Sequence, residues 1–178
     1  MRRLPGKQSP VSVHSRSLKT LALISFLMAL ALVFPQQGAS DPAPGFSLPV
    51  LDGNELISLS ELEGKTVYID FWASWCGPCR QSLPLYEVMN SALPQSEFQL
   101  VAINLDESRD DALQFLKKHP VSYTVAFDPE GMSASAWNIR AMPSSFLVNP
   151  RGEIVKEWIG FQPSHTEEIE DEIRSLIE

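Results

Sequence analysis

The two cysteines of the chain, Cys76 and Cys79, follow closely on the segment Thr66–Trp72, TVYIDFW. That segment is β-branched and aromatic almost throughout, the composition of a strand buried on both faces. Beyond Cys79, RQSLPLYEVMNSAL places Leu83, Tyr86 and the Val88/Met89 pair at helical spacing. The cysteines therefore lie where a strand hands over to a helix. Gly77 is expected to permit a tight turn there, and Pro78 to take the first helical position, where its missing N–H costs no bond. Pro84 removes a donor inside the helix and is expected to bend it.

The remaining elements follow from the same patterns. DPAPGFSLPVLDG is Pro-rich and extended, Asp52-Gly53 is a turn signal, and ELISL is a return strand, so a β-hairpin is expected ahead of Thr66. EFQLVAINLD is a second buried strand. Ser108 is placed to cap the next helix, with Asp111 in the capping-box position, Ala112, Phe115 and Leu116 on its apolar side, and Pro120 as its stop. YTVAFD is another strand and MSASAWNI a short helix. SSFLVN and EIVKEWIG flank Asn149-Pro150-Arg151-Gly152 and form an antiparallel hairpin. A last helix from about Thr166 is apolar at Ile169, Ile173, Leu176 and Ile177, with the acidic run EEIEDE as its exposed side. Strands alternating with helices, then a hairpin and a closing helix, predict an α/β fold with a mixed central sheet flanked by helices.

Residues 1–40 carry five basic residues (Arg2, Arg3, Lys7, Arg16, Lys19) and no acid. They include Leu21–Phe34, a charge-free run of 14 residues, followed by Pro35 and the small residues of QQGAS. This is the three-part pattern of a secretory signal, and the run falls short of the roughly 20 residues a spanning helix needs. Cleavage near Ala39 or Ser40 is expected, with an uncleaved N-terminal anchor as the alternative. Residues 41–178 then form one domain, exported to the periplasm or held at the extracytoplasmic face of the membrane. Nine basic residues against 22 acidic ones leave this part a charge of −13. That argues against nucleic acid or an anionic membrane surface as a partner.

Three uses of the cysteine pair compete. A closed zinc site wants four ligands; no other cysteine exists, His14 lies in the signal region, and His119 and His165 are isolated. A staple across so short a loop gains little, and a domain of this size builds its own core. A redox pair suits the position. Unpaired backbone donors and the positive end of the helix dipole favour a thiolate at Cys76, while Cys79, one turn in, is shielded yet near enough to resolve a mixed disulfide. Cys76 is thus read as nucleophile and Cys79 as resolving thiol.

YIDFWASWCGPCR, preceded by PAPGFSLPVLDGNELISLSELEGK and followed by VAINLD and AMPSSFLVNPRGEIV, resembles the TlpA/ResA-like exported thiol:disulfide oxidoreductases of the redoxin/thioredoxin superfamily, from Pro42 to Phe161. The resemblance implies a thioredoxin fold with an N-terminal β-hairpin extension, and disulfide exchange with client proteins, without a cofactor. It implies a cis peptide bond before Pro143, with Met142 contributing backbone to a bound substrate chain. Asp70, charged in an otherwise apolar strand, either turns to water or, as in thioredoxins, is buried and accepts the proton of the resolving thiol. Trp75 is expected to rim the site and touch substrate; Trp72 and Phe71 are expected in the core. Arg80 either adds positive potential beside the thiolate or is a solvated helix charge.

The chain departs from this pattern at Ser82, where many relatives have Glu, at Ser144, where the branch dedicated to cytochrome c maturation has Glu, and at Ala102, where thioredoxin has a lysine. These leave the client open, cytochrome c maturation included. Gly-Pro between the cysteines resembles thioredoxin, whose potential is about −270 mV against about −120 mV for the strong oxidant DsbA, a gap worth about 7 kcal/mol. A reductase is therefore expected, supplied by a membrane-embedded electron donor of the DsbD/CcdA type and acting as a monomer. The alternatives are a disulfide-forming oxidant, a peroxidase of the same fold, and a Sco-like copper-binding module. The peroxidase lacks its TxxC setting here, and the copper module its CxxxC spacing and distant histidine.

Overall fold

The computed structural model describes residues 41–177; the expected signal segment lies outside them. Two short strands, β1 (Ser47–Pro49) and β2 (Leu56–Ser58), pair antiparallel as the N-terminal hairpin. The main sheet has five strands in the order β5-β4-β3-β6-β7. These are β3 (Thr66–Trp72), β4 (Phe98–Asn104), β5 (Thr124–Phe127), β6 (Ser144–Val148) and β7 (Ile154–Ile159). β3, β4 and β5 run parallel, and β6 and β7 join antiparallel. Parallel neighbours require a crossover. α1 (Cys79–Ala92) and α2 (Arg109–Lys118) supply the two crossovers, α3 (Met132–Ala136) precedes β6, and α4 (His165–Ile177) closes the chain. Among the described residues no helix is long and apolar enough to cross a membrane.

β3 is central and buried at all seven positions. Its side chains alternate between two cores. Tyr68 and Trp72 face Cys79, Leu83, Tyr86, Phe115, Ile169 and Ile173, the layer of α1, α2 and α4. Val67, Ile69 and Phe71 face Leu59, Leu62, Trp137 and Phe146. The hairpin docks on the β5 edge through the Leu51 N–H to Val125 carbonyl bond (2.8 Å) and the Arg109 guanidinium, which donates to the carbonyls of Val50 and Leu51. In the turn between β6 and β7, Gly152 adopts φ 77°, a left-handed conformation that favours glycine.

Some local expectations are corrected. Ser108 precedes α2 as foreseen, but its side chain makes no cap bond, so the Asp111 capping box is absent. Asp110 and Asp111 instead lie in the first turn and Lys117 and Lys118 in the last, which complements the helix dipole. The short helix stops at Ala136, four residues after it begins, leaving Trp137 to pack against Phe146. Val88 is exposed and Met89 takes the core position. α1 continues through Pro84.

Candidate active site

The end of β3 delivers the chain into the loop Ala73–Pro78, and a buried carboxylate holds that loop. Asp106, just past β4, accepts the Ser74 N–H at 3.0 and 3.2 Å, the Ser74 hydroxyl at 2.9 Å and the Asn104 amide at 2.8 Å. Cys76 follows, its N–H donating to the Ala73 carbonyl at 3.1 Å. Cys76 and Cys79 are disulfide-bonded, with Cys76 5% exposed and Cys79 fully buried. The backbone N–H of Cys79 donates to Cys76 Sγ at 3.2 Å. This is one of the orphan donors of a helix start, and a donor so placed favours negative charge on the sulfur that receives it. Pro78 has helical dihedrals (φ −62°, ψ −32°) one residue ahead of the helix rather than inside it. Gly77 does not adopt a left-handed conformation, and a Cβ there would meet nothing within 4 Å. It lies with Pro78 in the expected turn leading into α1, and it lines an open groove.

That groove, about 540 Å³, lies against Cys76 and is walled by Trp75 and Pro78 on one side and by Ile139, Arg140 and Met142 on the other. Trp75 is 69% exposed at its rim, while Trp72 and Phe71 are core residues. The Met142–Pro143 peptide bond is cis. Arg80 lies 6.0 Å from the Phe115 ring centroid, a cation held over an aromatic face.

Asp70 does not turn to water. It is fully buried on the α1 side of β3, opposite Ala102 on one neighbouring strand and Ser145 on the other. The Ser145 hydroxyl donates to Asp70 Oδ1 at 3.0 Å, and Oδ2 has no partner among the described residues. Burial pushes the Asp70 carboxyl up to about 8, and the Ser145 bond opposes that only in part. A carboxyl of this kind can hold or release a proton near neutral pH. Burial also raises the phenols of Tyr68 and Tyr86, and the Asp70 charge adds to the rise in both.

Ser145, Tyr86, Asp106 and Arg140 join this site without having been singled out in the sequence. Ser145 and Asp106 read there as ordinary strand and strand-end residues, and Tyr86 as a core position. Only an acid directly after an apolar strand (Asp106 in VAINLD) offered a signal. No group of three or more His, Cys, Asp or Glu side chains able to hold a metal occurs among the described residues.

The family model described as Redoxin matches residues 38–173. The chain belongs to the redoxin family. Two relatives named thiol-disulfide oxidoreductase ResA are similar to it. The one from Bacillus subtilis is 33% identical over 64% of this chain and 63% of its own length, so the match leaves over a third of that relative unpaired. The one from Halalkalibacterium halodurans is 32% identical over 78% of this chain and 77% of its own length. Among solved structures, a thiol:disulfide interchange protein DsbE from Chlorobium tepidum superposes with a TM-score of 0.74 at 42% identity, covering 78% of this chain and 97% of its own. StoA from Bacillus subtilis gives 0.63 at 29% identity, covering 72% and 96%. This redoxin thus has the thioredoxin fold with a disulfide-bonded CxxC pair, and its relatives are named thiol-disulfide oxidoreductases.

Proposed function

We propose that this redoxin is an exported thiol:disulfide oxidoreductase that reduces disulfides of extracytoplasmic client proteins. The observation that carries the reading is the Cys76–Cys79 disulfide at the head of α1, its outer sulfur receiving a backbone N–H and bordering an open groove. In the reduced protein the Cys76 thiolate attacks a client disulfide, forming a Cys76–client bond and expelling one client thiolate. Cys79 then gives its proton to Asp70 and attacks Cys76 Sγ, which forms the Cys76–Cys79 bond and releases the second client thiolate. Two electrons pass to the client cystine and the pair returns to the disulfide state.

Trp75 and the Met142–Pro143 segment flank the client's approach, with the Met142 backbone pairing to its chain. The electrons come from a membrane-embedded donor of the DsbD/CcdA type, and the protein works as a monomer after removal of residues 1–40. Apocytochrome c cysteines are one class of client compatible with this chemistry. Export rests on the basic start, apolar run and small-residue end of residues 1–40.

Trapping tests the proposal. Cys79→Ser is expected to accumulate a mixed disulfide between Cys76 and the native client, identifiable by mass spectrometry. Adduct formation that survives Cys76→Ser would assign the nucleophile wrongly. The equilibrium potential decides direction: a value near about −270 mV supports a reductase, and one above about −150 mV makes the protein an oxidant.

A further inference from the structure

The two carboxylate oxygens of Asp70 keep different company. Oδ1 accepts the Ser145 hydroxyl at 3.0 Å, whereas Oδ2 is buried without a partner among the described residues. Ser145 Oγ also lies 3.5 Å from the Tyr86 hydroxyl. A serine hydroxyl has one proton to donate. With that proton on Asp70, the second contact runs from the Tyr86 O–H to Ser145 Oγ, and the chain Tyr86, Ser145, Asp70 has a single polarity. All three groups are buried, and they come from three elements: α1, β6 and β3.

We propose that Ser145, oriented by Tyr86, is a positioning residue for disulfide exchange: it occupies Oδ1 of Asp70 and leaves Oδ2 as the oxygen that takes the proton of Cys79. The proposal rests on Asp70 being the proton acceptor, as put forward above. In the step it serves, the Cys79 S–H proton moves to Oδ2. The electron pair left on that sulfur forms the Cys76–Cys79 bond, and the Cys76–client S–S bond breaks, its electron pair leaving on the client thiolate.

The surroundings explain why a neutral hydroxyl matters here. Tyr68 from β3, Tyr86 from α1 and Tyr123 from the segment before β5 are all raised, by burial first and in each case also by the Asp70 charge. Glu87 of α1 adds to the effect on Tyr123. Ala102 stands opposite Asp70 on β4, and Trp158 of β7 packs against Tyr68. No cation acts on Asp70; among the described residues the Ser145 hydroxyl is the group that favours its anion. Burial desolvates the carboxylate, and one donated hydrogen bond offsets part of that cost.

Stopped-flow reaction of the reduced protein with dithiobis(nitrobenzoate) separates the two thiol steps. The first nitrothiolate released reports attack by Cys76, and the second reports attack by Cys79. Ser145→Ala is expected to move the pH limb of the second phase upward by about one unit or more and to slow that phase about tenfold at pH 7, leaving the first phase unchanged. Ser145→Thr restores the hydroxyl and the limb. Asp70→Asn abolishes the limb, and adding Ser145→Ala to it changes nothing further. A Ser145→Ala limb that stays in place, or an equal slowing by Ser145→Ala in the Asp70→Asn background, overturns the proposal. If Asp70→Asn itself leaves the limb intact, the prior assignment of Asp70 is what fails, and the proposal falls with it. Tyr86→Phe is expected to shift the limb in the same direction by less; no shift overturns the part given to Tyr86. Thermal melting of each variant shows whether it is folded.

Discussion

Replacing Asp70 by Asn should stabilise the protein, and by an amount that depends on pH in a defined way. Asp70 is fully buried, and its carboxyl is raised from 3.8 to about 8 by desolvation. Between these values the unfolded chain releases the proton while the folded chain keeps it. The unfolded state then binds fewer protons, and stability falls as pH rises. The favourable contribution is complete below pH 3.8 and is lost progressively until about pH 8, above which it stays constant. The slope is about 1.4 kcal/mol per pH unit, so the accumulated loss at neutral pH is about 4 kcal/mol. Domains of this kind have only about 5–15 kcal/mol in total, so the effect is large.

Asn keeps the shape, accepts the Ser145 hydroxyl and does not titrate. Any misfit of its amide adds an offset that is independent of pH. Urea unfolding of the oxidised wild-type and Asp70→Asn proteins from pH 4 to 9 gives the difference curve. The variant should gain on the wild type steadily up to about pH 8 and then level off. A difference flat to within about 1 kcal/mol over that range would refute the reasoning, because it would mean that the carboxyl titrates alike in both states.

Other expectations are simpler. Trp75→Ala removes a rim side chain that is 69% exposed, so unfolding should change by no more than about 0.5 kcal/mol. KM for a protein disulfide should rise about tenfold, worth about 1.4 kcal/mol of contact, while the reaction with a small aromatic disulfide stays unchanged. Asp106→Ala strands the Ser74 N–H, the Ser74 hydroxyl and the Asn104 amide. It should cost about 2–4 kcal/mol in urea unfolding and loosen the approach to Cys76, seen as faster amide exchange at Ser74. Cys76→Ser should abolish insulin reduction outright, whereas Cys79→Ser should retain a single attack that stops at the mixed disulfide, resolved by mass spectrometry.

The order of elements was legible in the sequence because it rests on local pattern. Six β-branched and aromatic residues around Asp70 read as a strand buried on both faces, and a CxxC a short loop beyond it falls at a helix start. The terms that went wrong were also local, but finely balanced. Ser108 sits at the right position without bonding, and the helix expected over MSASAWNI ends at Ala136, short of Trp137.

The amino-acid sequence alone therefore determined where the thiols stand in the chain's run of strands and helices. Tertiary structure decided what surrounds them. Asp70 meets Ser145 across 75 residues because β3 and β6 are neighbours in one register. The groove exists because the segment Ile139–Met142 is brought beside Trp75 and Cys76. Hydrophobic periodicity reports which face of an element is buried, and it is a property of adjacent residues. A hydrogen bond between strands, or a cleft between loops, depends on which distant segments become neighbours, and only the assembled sheet sets that.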